Sequence, residues 1–347
     1  KYSTPYKRGN RYFFRKNDGL QDQSVLYTTQ SLDEEPRVLL DPNKLSEDGT
    51  VALAGTTVSH DNQYLAYSIS RSGSDWREIY VKNIETGEKL SDQLEWVKFS
   101  GISWRNDGFY YSRFDEPKEG QELSNVNKFQ KVYYHKIGTS QSEDKLVYED
   151  PSHPKRNFSA GTTEDERFLI LYATESTSGN ALYVKDLEKN GGFVQVAEGF
   201  EHDYNLVGNL DETLFIRTND DASNYRLVAV NMQNPDKANW KTILPGKENV
   251  LRSVTLAGGK LVAHYMKDAH SKVEIYDYKG NYETDIELPT LGTMSSFSGR
   301  KDEQSAFYSF TSFTVPNIIY KYNFADGSSE VFRKPEMDIN FDAYTTR

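Results

Sequence analysis

Cysteine is missing altogether from these 347 residues. That removes a disulfide framework, a thiolate nucleophile and any cysteine metal site. It suits a reducing compartment but leaves an oxidising one open. No apolar run approaches the roughly 18 residues of a membrane-spanning helix; "RFLILYA" is among the longest. Positive charge is in deficit: the formal net charge is −11. A nucleic-acid binder needs a basic face to displace counterions from phosphate, so the charge argues against that class. The opening "KYSTPYKRGN" has neither an initiator Met nor an apolar signal core, and reads as an internal piece of a longer chain.

The chemistry-bearing motifs are also sparse. No G-x-S-x-G elbow is present to lift a serine clear of a sheet; "SGSDW", "FSGIS" and "STSGN" all lack the second glycine. The six histidines (His60, His135, His153, His202, His264 and His270) show no spacing that places two imidazoles on one metal. His60 falls in a turn, His135 and His264 in predicted strands, and all six read as structural. "DPNKLSEDG" lacks the alternating oxygen donors of an EF-hand loop. Carboxylates cluster in "DEEP", "TEDE" and "NDD", but on turns, and nothing selects a glycosidase-like pair. No cofactor or metal is therefore expected.

Aromatics, by contrast, are abundant, with 24 Tyr and 18 Phe, residues that suit half-buried strands. The stretch "GSDWREIYVKNIETGEKL" at 73–90 reads as a hairpin, and its kernel "EIYVKNI" recurs. Relatives of it surround Tyr27, Tyr80, Tyr133, Tyr183, Val228, Tyr276 and Tyr320, at intervals of roughly 44 to 53 residues, the range of propeller blades. Before most kernels stands a polar turn followed by an apolar strand, as in "SHDNQYLAYS", "RNDGFYYS" and "TEDERFLILY". The Asp, Asn and Gly in these turns supply the local hydrogen bonds or positive φ that tight turns need. The pattern predicts an all-β, seven-bladed β-propeller of four-stranded antiparallel blades spanning residues 1–347 as a single domain. A β-sandwich, or a stacked pair of smaller β domains, is the alternative. Every blade is expected to be contiguous, with no strand bridging the two termini, so that side-chain packing alone holds the seam and the ring could open there. WD40 and kelch signatures are absent, which leaves an independent propeller scaffold for protein or ligand binding as the alternative function.

Several segments carry a family resemblance. "KYSTPYKRGNRYFFRKNDGLQDQSVLY", "LDPNKLSEDGTVALAG", "SGSDWREIYVKNI", "VKFSGISW", "YYHKIGTSQSED", "SNYRLVAVNM" and "FYSFTSFTVPNIIYKY" resemble, in order, the propeller of the prolyl oligopeptidase family, from Lys1 to about Phe341. That family comprises cytosolic or periplasmic serine peptidases that cut short peptides after proline and join a seven-bladed propeller to an α/β-hydrolase domain. The resemblance implies that the catalytic triad lies outside this chain, beyond "FDAYTTR", where the crossing to the hydrolase domain would begin. On this view the propeller makes no bond itself. It filters substrates by size, docks on the hydrolase domain and admits proline-containing oligopeptides, with no nucleic-acid or membrane partner and as a monomer.

The same resemblance assigns site residues. "SDW" resembles a loop facing the catalytic domain, which makes Asp75 and Trp76 interdomain candidates; a turn-forming Asp and a core Trp are the alternatives. "VKFS" resembles the segment whose Phe lines the outer substrate pocket, so Phe99 is the leading pocket residue, with a blade-core aromatic as its alternative. Asn157 stands at the family's Met position, and Ser176 or Thr177 near its Cys position. Those departures make the pocket more polar.

Overall fold

A computed structural model describes residues 1–118, 120 and 127–335. "FDAYTTR" at 341–347 lies outside the described residues.

Hairpin chemistry is visible strand by strand. In the 73–90 stretch, strand Arg77–Asn83 ends in a turn where the Asn83 side-chain oxygen accepts from the Thr86 amide at 3.0 Å. Gly87 then takes φ +74°, a conformation open to glycine without steric cost, and the chain returns as Lys89–Val97. The kernel strand buries Ile79, Tyr80 and Val81 in succession, so both of its faces are covered. Lys89–Val97 instead alternates buried Asp92 and Leu94 with exposed Ser91, Gln93 and Glu95, as an outer strand with one wet face should, before burying Val97 at its end.

The structure is an all-β propeller, but the expectation of seven separate four-stranded blades is corrected. Among the described residues, five discrete four-stranded blades occur, at 6–40, 157–197, 204–244, 250–285 and 293–333. The strands of 51–148 form one continuous eight-stranded sheet. Strand lengths give the reason. Ser103–Arg105 has only three residues and pairs with Gly108–Tyr110, the first half of strand Gly108–Arg113. The second half has an unpaired edge, and Arg113 takes Val97 as its partner. The Phe114 amide then bonds the Trp96 carbonyl at 3.0 Å. A kernel count cannot register such a join.

Consecutive strands build each four-stranded sheet, and buried apolar clusters tie every sheet to its successor. Phe13 and Leu26 meet Leu65 and Tyr67; Val132 meets Phe158 and Leu171; Val262 and Ile275 meet Met294 and Tyr308. None of these clusters joins the last blade to the first, and among the described residues no strand pair does so. That junction is made by side chains: Lys7 to Glu303 at 2.8 Å, Tyr12 edge-on to Phe307, and the Arg333 guanidinium 4.5 Å from the Phe14 ring centre.

Inside the eight-stranded sheet, fully buried His135 is held between two carboxylates. Its Nδ1 lies 2.6 Å from Asp144 and its Nε2 2.9 Å from Asp92, whose oxygen also accepts from the Gly138 amide. Burial opposes charging of the imidazole, but the bonds to Asp144 and Asp92 outweigh it and push its pKa up to about 9.

Candidate functional site: a loop face and its aromatic corner

Antiparallel pairing sorts the loops onto two faces. Second-to-third-strand loops and the connections between blades emerge on one face; first-to-second and third-to-fourth turns emerge on the other. The large exposed apolar side chains follow that division. Leu20, Phe99, Phe129, Leu291 and Phe313 all stand in loops of the first face, with Leu20 at 95% and Phe313 at 102% exposure. Val38, Leu146, Val194, Tyr282 and Val331 lie on outermost strands. Burying apolar surface is the main favourable term in association, so the first face is the one suited to meeting another surface.

Asp75, Trp76 and Phe99 come together in one corner of this face. Their meeting point, Lys98, is a residue that sequence reasoning missed. The Lys98 amine lies 3.5 Å from the Asp75 carboxylate and 5.3 Å from the centres of both the Trp76 and Phe99 rings. Its side chain is mostly covered, while that of Asp75 is 77% exposed. Trp76 packs edge-on against Trp96 and Phe114, with ring centres 5.6 and 6.0 Å away. Phe99 is more than half exposed and takes φ +54°. Left-handed backbone costs a non-glycine residue about 1–2 kcal/mol, so the surrounding loop must enforce it.

Two bonds enforce it. The Ser112 amide donates to Ser100 Oγ at 2.7 Å, and the Gln130 side-chain amide donates to the Lys98 carbonyl at 2.7 Å. Gln130 also accepts from the Phe158 amide at 2.5 Å, and Ser112 Oγ donates to the Phe158 carbonyl at 2.6 Å. Gln130 is 1% exposed. Nothing in its local sequence, "NKFQK", distinguishes it from a loop residue.

Asn157 opens strand Asn157–Thr162 and pairs with Thr174. Ser176 and Thr177 are exposed in the loop that follows Thr174, at the same end of that hairpin. The loop closes through Gly179, where an added Cβ would sit 1.8 Å from the Phe200 carbonyl oxygen. Asn157 and Thr177 thus lie at one end of the same hairpin, and the strand that Asn157 opens connects to the Phe99 loop through Phe158 and Gln130.

The opposite face is ionic. Glu164 binds Arg300 at 2.7 Å, which joins the blade at 157–197 to the last one, and His60 lies 3.8 Å from Glu166. Burial, with Arg8 and Arg300 nearby, holds the His60 imidazole below its ordinary pKa despite Glu166. Beside this cluster lies a cavity of about 320 Å³ whose lining includes Thr163, Glu164, Asn209, Thr255 and Lys301, drawn from four blades. Among the described residues no cluster of three or more His, Asp or Glu could hold a metal ion.

The model of the prolyl oligopeptidase N-terminal β-propeller domain matches residues 1–335. The chain belongs to this family. The prolyl endopeptidase of Elizabethkingia meningoseptica is 42% identical over 347 residues, covering all of this chain and 49% of that protein. A solved structure from a study of two prolyl endopeptidases, concerned with inter-domain dynamics in catalysis and specificity, superposes with a TM-score of 0.90 at 31% identity. It is matched over 99% of this chain and 49% of that one. Prolyl oligopeptidase B of Galerina marginata, solved with a 25mer macrocyclization substrate, gives a TM-score of 0.90 at 27% identity over 99% of this chain and 52% of that one. The prolyl oligopeptidase propeller described here therefore spans about half the length of the relatives it matches.

Proposed function

We propose that residues 1–347 act as one non-catalytic propeller unit that controls access to the active site of a prolyl-specific serine endopeptidase. The supporting observation is the segregation of large exposed apolar loop residues onto one face. An α/β-hydrolase domain docks on that face, with Asp75 and Trp76 at the contact. Phe99 forms the outer wall of the peptide pocket, and Asn157 and Thr177 give it a polar side. A slack proline-containing oligopeptide passes into the enclosed site. A folded protein does not. Enclosure also excludes water, which strengthens every electrostatic interaction at the reacting bond.

The test uses an enzyme carrying this propeller on its hydrolase domain. Cleavage of a proline-containing peptide, free or held within a folded host protein, should differ by at least about a hundredfold in kcat/KM. Equal cleavage of the two substrates sinks the filter. For docking, Asp75→Ala should lower the temperature at which the two domains separate while leaving the melting of the propeller alone unchanged. An unaltered domain contact removes Asp75 from the interface.

A further inference from the structure

Two walls of the proposed pocket stand on different elements: Phe99 on the loop after strand Lys89–Val97, Asn157 at the head of strand Asn157–Thr162. We infer that Gln130 is the positioning residue that sets their separation. The inference rests on the pocket reading above and adds a specificity-determining group to it.

The geometry is a clasp. One amide group, buried to 1% exposure, donates to the carbonyl of Lys98 and accepts from the amide of Phe158. Each partner is the immediate chain neighbour of a wall residue: Lys98 precedes Phe99, and Phe158 follows Asn157. A buried side-chain amide that satisfies one donor and one acceptor on separate segments fixes their spacing to within hydrogen-bond tolerance, because losing either bond leaves a backbone group without a partner. Ser112 supports the same arrangement from strand Gly108–Arg113, accepting nothing from Gln130 but bonding both Ser100 and the Phe158 carbonyl. The backbone of Gln130 is anchored in turn: the preceding residue, Phe129, has φ +62° and donates its amide to the Pro154 carbonyl at 2.7 Å. Gln130 touches no substrate in this arrangement. It acts through the two walls.

Glutamate at this position separates positioning from simple packing. Ionised Glu accepts from Phe158 but cannot donate to Lys98; protonated Glu has the shape of Gln and can do both. In an enzyme carrying this propeller, KM would be measured for an extended peptide that reaches the Phe99 wall and for a short one that does not. For Gln130→Glu, the extended-to-short KM ratio should rise by about tenfold above neutral pH and return toward wild type as the pH falls, with kcat for the short peptide unchanged. Gln130→Met should raise the ratio by about the same factor at every pH. In the same preparations, hydrogen exchange at the Phe158 amide should accelerate in Gln130→Met.

Phe99→Ala tells the two ideas apart. If it raises the ratio while Gln130→Glu leaves it flat across the pH range, the clasp is overturned and the pocket stands. If Phe99→Ala itself leaves the ratio unchanged, the pocket reading fails, and with it the use of the clasp. Should Gln130→Met fail to fold, acid recovery in Gln130→Glu carries the same decision, since a merely structural defect would not reverse on protonating one side chain.

Discussion

Both faces of the propeller carry ion pairs, such as Asp75 with Lys98 on the first, but only the first presents large exposed apolar side chains on its loops. On one, exposed Leu20, Phe99, Phe129, Leu291 and Phe313 ride on loops. On the other, Glu164 meets Arg300 and His60 meets Glu166 beside the cavity shared by four blades. Backbone alone does not account for this, since both faces are made of turns between antiparallel strands. The contrast lies in the side chains that the loops of each face leave exposed. Apolar loop residues gain free energy only when another surface covers them. Ion pairs between turns of different blades are satisfied within the chain, and their value depends on salt and pH.

The largest expected effect tests the ionic side. His135, Asp92 and Asp144 sit toward the same end of the eight-stranded sheet as its third-to-fourth-strand turn. The folded pKa of His135 is raised from 6.5 to about 9, so the folded protein holds the proton more tightly than the unfolded chain does. The resulting stability is fully present below pH 6.5 and is lost as the pH rises through about 9. By linkage it amounts to about 3 kcal/mol. Urea unfolding from pH 6 to pH 10 should show this decline. His135→Leu should be strongly destabilised at pH 6, because two buried carboxylates lose their counter-charge, and the alkaline decline should disappear. A decline of the same size in the variant would show that other groups cause it.

The apolar face is tested by adding charge. Leu20→Asp with Phe313→Asp should weaken association with the hydrolase domain by about a hundredfold or more, because an ionised carboxylate must be desolvated on docking. The melting temperature of the propeller alone should move by no more than about two degrees, as both side chains are exposed and contribute little to its core. Undiminished association would mean that the apolar loops do not define the docking face.

The smallest effect concerns the ion pair between blades. Glu164 and Arg300 are 31% and 22% exposed, so Glu164→Gln should cost at most about 1 kcal/mol. The difference from wild type should shrink as salt is raised, whereas the Leu20/Phe313 effect should not. An ionic-strength-independent loss would assign Glu164 to packing and remove the electrostatic half of the comparison.

How far the sequence reached differs among these regions. The kernels around Tyr80, Tyr133 and Tyr183 do lie on strands, since alternation and turn residues act over fewer than ten positions. The separateness of the blades is not legible in the sequence, because the joining of two runs of strands turns on the pairing of Arg113 with Val97 beside a three-residue strand. Asp75, Trp76 and Phe99 could be singled out by resemblance. Their shared partner Lys98 could not, since the 75–76 loop and Phe99 flank two intervening strands. Gln130 was invisible for a related reason: its donors and acceptors are backbone groups of Lys98 and Phe158, which any residue types would provide.

By itself, then, the chain's residue order settles the all-β character, the recurring hairpins and the family, because strand alternation and turn chemistry are short-range properties. Tertiary structure alone decides which hairpins merge, which loops share a face, and which distant carboxylates confront His135. Those outcomes depend on groups brought within a few ångströms by strand pairing and blade packing, where dielectric, burial and hydrogen-bond geometry act and sequence distance no longer counts.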